Sequence, residues 1–347
     1  SQRARSDQSQ PRSIYGHADG RIGFMSASPL SDAFVELAVS TRNGHDDSVH
    51  YGAVVALEPD GSVAFALGDA GAVVFPRSST KPIQATAMVA SGLSLPPRLL
   101  ALVCASHDGR PEHLSTAKEI LATAGLTESA LGNTADYPLD PDAQEAVIRA
   151  GEVKTALQMN CSGKHSGMLA TCVLNGWDLE SYLHVDHPLQ QRITEMVPQL
   201  AGEEASFIGV DGCGAPAHAL SLTGLARAFR SVALAPTSSA AGQVAAAIRQ
   251  HPEMLGGPNR DITLLIQGVP GLLGKDGAEG VFAIALPDGR AIALKISDGA
   301  NRARPPVMKF ALQALGVDVS AVDPRAFDSV IFGHGKPVGN VRVTATL

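Results

Sequence analysis

Two segments near opposite ends of the chain follow one pattern. Residues 52–58 form an apolar run, Pro59-Asp60-Gly61 turns the chain, and residues 62–67 resume the run; residues 281–286 meet Pro287-Asp288-Gly289 and continue through 290–296. In each turn proline presets φ and glycine accepts positive φ, so both segments read as β-hairpins. Their residues are apolar on both faces, which requires cover on both sides. Runs at 33–39 and 341–347 add strands from the two ends. Between the hairpins the pattern turns helical. Residues 82–91 place Ile83, Ala87 and Ala90 on one face before Gly92, and residues 111–124 open with Pro111 and group Leu114, Ala117 and Leu121 before Gly125. Residues 220–234 and 240–249 read the same way. Strands from both ends and helices from the middle imply an α/β (α+β) chain with an antiparallel sheet flanked by helices, not a doubly wound parallel sheet. The sheet needs both ends of the chain and no composition break marks a linker. Residues 32–347 therefore read as one domain and residues 1–31 as a flexible tail.

Composition narrows the class of function. Aromatic residues make up only 4% of the 347, which argues against a platform that stacks bases, and the net charge of −7 with no long basic run argues against a phosphate backbone as partner. No stretch reaches the roughly 18 apolar residues of a membrane helix, and the polar first residues do not read as a secretory signal. The expectation is a cytoplasmic protein with a small-molecule substrate, no nucleic acid and no membrane partner, assembled as a homodimer. Four cysteines in so long a chain do not make a disulfide scaffold. Cys104 and Cys172 sit in apolar runs and read as core. Cys161 and Cys213 sit among glycines and polar residues, and do not.

The stretch Phe75-Pro-Arg-Ser-Ser-Thr-Lys-Pro82 carries the most chemistry. Ser78 and Lys81 are spaced i, i+3, which on a helix brings them to one face. Pro82 is tolerated only in a first helical turn, so a helix begins near Ser78 and its positive end stabilises an alkoxide there while favouring the neutral amine of Lys81. The plainer reading makes Ser78 or Ser79 an N-cap and Lys81 a solvated charge. Residues 104–109, Cys-Ala-Ser-His-Asp-Gly, follow an apolar run and present Ser106 as a second hydroxyl and His107 as a donor, or else form an Asx-type turn capping the next helix. Cys161 and Cys213 are soft ligands that could share one ion, with Lys164 or His165 completing the set, although without a Cys-x-x-Cys element the spacing is a weak zinc signal. Lys275 stands on a Gly-rich turn at a sheet edge, suited to hold a carboxylate or polarise a hydroxyl, or simply solvated.

Taken in order, PRSSTKP (76–82), CASHDG (104–109), CSGKHSGML (161–169), DGCGAP (211–216) and KDGAEGV (275–281) resemble the asparaginase II family, which includes the Rhizobium-type inducible asparaginase. The resemblance runs from about residue 34 to 347. It implies a fold like serine β-lactamases and penicillin-binding proteins, and two Ser-Lys pairs around one asparagine site. Ser78 matches the nucleophile candidate, Lys81 its base, Ser106 the second serine and Lys275 the second lysine. It implies zinc held by Cys161, Lys164 and Cys213, with Arg77, His107, His165 and Asp211 beside substrate or metal.

The activity so implied is hydrolysis of L-asparagine to L-aspartate and ammonia, the side-chain amide entering between the first helix and the Lys275 turn. A β-lactamase or penicillin-binding-type serine hydrolase shares Ser-x-x-Lys, but here Ser297-Asp298-Gly299 only half matches that group's Ser-Asp-Asn element and Lys-Thr-Gly is missing. A non-catalytic zinc-binding protein of the same fold is the remaining alternative.

Overall fold

The computed structural model describes residues 30–347. Most of the expected tail, residues 1–29, lies outside the described residues. The strands are β1 (Val35–Arg42), β2 (His45–Leu57), β3 (Val63–Leu67), β4 (Val73–Val74), β5 (Phe207–Val210), β6 (Pro216–Ser221), β7 (Leu273–Gly277), β8 (Val281–Ala285), β9 (Ala291–Ile296), β10 (Val330–Gly333) and β11 (Lys336–Val343). The helices are α1 (Lys81–Ala90), α2 (Pro97–Val103), α3 (Pro111–Thr123), α4 (Pro141–Arg149), α5 (Ser162–Asn175), α6 (Pro188–Ala201), α7 (Leu222–Leu234), α8 (Ala240–Gln250), α9 (Asp261–Gly268) and α10 (Arg304–Ala314).

The main sheet is antiparallel, in the order β10-β11-β1-β2-β9-β8-β7, with β3 continuing the edge of β2 that β1 leaves. Both expected hairpins are present as β2–β3 and β8–β9. Strands from the two ends meet, Val39 pairing with Arg342 and Gly52 with Ile296. Helix α7 packs on β2, β8 and β9, while α10 packs on β8, β9 and β11. That cover explains why β8 is buried at every position. The architecture is the expected one, an antiparallel sheet flanked by helices.

Three local expectations change. Lys275 is not on a turn: it lies in the middle of β7, an edge strand buried along its whole length, and the turn comes after Gly277. Glycine and aspartate around it imitate turn chemistry, but the strand pairs fully with β8. The last strand stops at Val343 rather than running to Leu347. A second sheet, β4-β6-β5, comes from the middle of the chain. This small sheet positions two functional segments: β4 leads into the Ser78 turn, and the β5–β6 hairpin carries the loop of Asp211 and Cys213.

Strand β7 abuts the Ser78 turn. A Cβ built on Gly277 would lie 2.4 Å from the carbonyl oxygen of Pro76 and 2.8 Å from Ser79 Oγ. Glycine at 277 is what lets β7 and the serine turn touch. Gly277→Ala is therefore expected to destabilise the fold by about 1–3 kcal/mol, read as a lower urea midpoint, and an unchanged midpoint would contradict this packing.

Candidate active site

Residues Arg77–Thr80 form a 3-10 turn that leads directly into α1, with Pro82 in the first turn of the helix, as its missing N–H requires. Arg77 has φ of 53°, a left-handed conformation that costs a non-glycine residue free energy. Asp211 holds it there, its Oδ1 accepting from Arg77 Nε at 2.7 Å. The strained residue immediately precedes Ser78, which is half-buried. Ser79 is buried and donates to the backbone oxygen of Lys275 at 3.2 Å.

Lys81 is buried, and its amine does not hydrogen-bond Ser78. It donates to Ser106 Oγ at 3.1 Å, to Cys161 Sγ at 3.1 Å and to the carbonyl of Ala105. One amine thus joins α1, the 104–109 loop and the start of α5. The i, i+3 spacing suggests that both side chains share one helix face; in the structure Ser78 lies in the 3-10 turn and Lys81 opens α1, and the lysine amine meets the second serine.

The 104–109 loop leaves α2 and is pinned through its backbone. Ser106 N–H donates to Leu255 O at 2.9 Å, His107 N–H to Asn160 O at 3.1 Å and Asp108 N–H to Gly256 O. His107 is fully buried, and burial lowers its pKa well below the usual imidazole value. Its Nδ1 accepts from Gly109 N–H, so in the neutral ring Nε2 carries the proton and donates to Ser162 Oγ at 2.8 Å. His107 thus braces the 104–109 loop against the start of α5 and does not face open space.

Lys275 is fully buried, its amine donating to Asp276 Oδ1 at 2.6 Å and to the Asp276 carbonyl at 2.7 Å. Burial lowers its pKa to about 8, against the pull of the Asp276 carboxylate, and the charge of Lys81 pushes the same way as burial. Burial would raise the Asp276 carboxyl, but Lys275, Arg260 and Arg304 outweigh it and hold that group well below the carboxylate range.

The two unusual cysteines meet. Cys161 caps the N-terminus of α5, Cys213 sits in the β5–β6 loop, and Lys164 Nζ donates to Cys213 Sγ at 3.1 Å. The proximity of Cys161, opposed by burial and helped by Lys164, pulls Cys213 towards the thiolate; the same proximity and burial push Cys161 well above the thiol range. Lys164 is raised, burial being outweighed by the thiolate beside it. His165 bonds Tyr182 Oη through Nδ1 at 2.7 Å, burial lowers its pKa to about 4, and its buried Nε2 lacks a well-formed hydrogen bond. Counting only His, Cys, Asp and Glu, no group of three or more donors gathers among the described residues. Two sulfurs and a lysine amine do gather, and that is a donor set a soft divalent ion accepts.

A groove of about 400 Å³ opens on the Arg77 side of the turn, walled by Phe75 and Val210 and lined by Arg77, Glu279, Lys295 and Ser297. The substrate is expected from sequence between α1 and Lys275; both lysines of that region are buried behind the turn. Glu279, Lys295, Arg260, Asp276 and Arg304 are not singled out by sequence reasoning. Asp276 and Glu279 lie inside one of the family-like motifs, whereas the arginines lie in no motif and reach the site only through folding.

Ser78, Lys81, Ser106 and Lys275 all lie within residues 38–343, which match the model of the L-asparaginase II family. The chain belongs to that family of hydrolases. No curated protein matches it in sequence. Among solved structures, a β-lactamase from Mycobacterium bovis is similar at 17% identity over 76% of this chain and 94% of its own, with a TM-score of 0.41. A structure titled Mglu is similar at 15% identity over 78% of this chain and 68% of its own, with a TM-score of 0.34. No helix among the described residues is long and apolar enough to cross a membrane.

Proposed function

We propose that the protein hydrolyses L-asparagine to L-aspartate and ammonia through a serine ester. The observation that carries the reading is the buried amine of Lys81 in hydrogen-bond contact with Ser106 Oγ, next to the strained turn that bears Ser78. An amine in reach of a hydroxyl is the arrangement that a Ser-Lys hydrolase uses to take the serine proton.

In this reading the substrate enters from the Arg77 groove and Ser78 Oγ attacks the carboxamide carbon. Lys81, in its neutral form, takes the hydroxyl proton by way of Ser106 Oγ, which its amine contacts, and returns it to the departing ammonia. Water then cleaves the ester, releasing aspartate and restoring the hydroxyl. Lys275, with its pKa lowered to about 8, is able to exchange a proton at neutral pH. A second reading makes Ser106 the nucleophile, favoured by its 3.1 Å bond to Lys81.

Cys161, Lys164 and Cys213 are proposed to hold zinc, for which Lys164 must give up its proton. The ion when bound would supply a fixed positive charge that orients substrate or water.

A coupled ammonia assay tests the activity. Wild type should release ammonia from L-asparagine and leave a chromogenic β-lactam intact. Ser78→Ala should lower turnover at least about a thousandfold without changing the unfolding midpoint, and Lys81→Met by about 10²–10⁴. Absence of ammonia release from wild type would end the reading; full activity in Ser78→Ala with loss in Ser106→Ala would move the covalent step to Ser106. Elemental analysis tests the metal. About one zinc per chain is expected, absent from Cys161→Ser and Cys213→Ser and lost progressively as pH falls, because protons compete for thiolate and amine. Metal retained in both variants contradicts this ligand set.

A further inference from the structure

We propose that Arg260 is a positioning residue that clamps the serine loop to the lysine strand, holding Ser106 and Lys275 in one register. The fork of its guanidinium spans the two segments. Nη1 donates to Asp108 Oδ1 at 3.1 Å, two residues beyond Ser106, and Nη2 donates to Asp276 Oδ2 at 2.7 Å, the carboxylate whose other oxygen binds Lys275. Both aspartates are buried. Lysine presents no such planar fork.

The chain before Arg260 is shaped around the same loop. Leu255 and Gly256 carbonyls accept the backbone N–H groups of Ser106 and Asp108. Gly257 has φ of 154°, and a Cβ there would lie 2.0 Å from Asp108 Oδ2. A side chain at 257 would therefore displace the carboxylate that Arg260 holds.

The clamp also closes a charge set. Lys275, Arg260 and Arg304 face Asp276, Asp108 and Asp261, with Arg304 Nη2 on Asp261 at 2.6 Å and Arg304 Nη1 3.7 Å from Asp276. The groups that act on Lys275 are Asp276 on its own strand, Lys81 from α1, Cys104 at the end of α2, and Arg260 at the start of α9; Arg304, from α10, reaches it through Asp276. Arg260 opposes protonation of Lys275 both directly and by drawing on Asp276. Removing Arg260 should therefore raise the pH at which Lys275 loses its proton, and removing the Asp276 charge should lower it.

The activity arm of the test rests on the asparaginase reading, so a second readout accompanies it. The pH dependence of kcat/KM for ammonia release and the ¹³Cε chemical shift of Lys275 are followed in the full-length chain, with Lys275→Arg assigning the resonance. Wild type should show an inflection near pH 8. In Arg260→Gln it should move up by about one pH unit, in Asp276→Asn it should move down, and in Arg260→Lys it should stay near wild type while kcat falls. Opposite movements cannot come from general loosening of the fold. If Arg260→Gln does not fold, the Asp276→Asn and Arg260→Lys pair decides. An inflection that stays in place, or moves the same way in Arg260→Gln and Asp276→Asn, overturns the clamp. A wild type that releases no ammonia overturns the asparaginase reading alone, and the chemical shifts then decide the clamp.

Discussion

A buried lysine amine, that of Lys81, holds the site together. Taking such a group out of water is expensive unless every donor is met, and here the Ala105 carbonyl, Ser106 Oγ and Cys161 Sγ meet it. Those three acceptors come from the loop after α2 and from the N-terminus of α5. The lysine itself starts α1, so the interaction fixes the relative placement of three segments that share no sequence proximity. Remove the amine and the loop, the helix start and the serine turn lose a common partner. The pairing of chain ends in the main sheet, the glycine at 277 and the small β4-β6-β5 sheet bring these pieces within reach.

Two other lysines near this centre meet opposite environments. Burial takes Lys275 down to about 8, even with a carboxylate beside it, whereas the Cys213 thiolate raises Lys164. Groups of one type are thus pushed in opposite directions within one small volume. The difference comes from the neighbour each strand or helix happens to present, Asp276 within a three-cation cluster in one case and a cysteine pair in the other.

Much of this is legible in the sequence, and the reasons differ by element. The hairpins at 52–67 and 281–296 are readable because Pro-Asp-Gly leaves few alternatives between two apolar runs. The start of α1 is readable because Pro82 forbids any position but a first turn. Strand β7 misleads because Gly274, Asp276 and Gly277 carry turn chemistry, while its burial against the serine turn is a tertiary fact. Composition and resemblance suggest the gathering of Cys161, Lys164 and Cys213, but their distances depend on the β5–β6 hairpin, which no periodicity announces. Arg260 and Arg304 stand in no motif at all. Spacing suggests that Ser78 and Lys81 share a face, yet it does not say where a flexible stem points, and this one points to Ser106.

The most direct test is to trap the chain with a slowly hydrolysed acylating analogue of asparagine and to map the adduct by peptide mass spectrometry. A single added acyl mass on the peptide bearing Ser78, absent from Lys81→Met, is the predicted result. An adduct on no serine of the site, or one that forms undiminished without Lys81, would contradict the Ser-Lys mechanism.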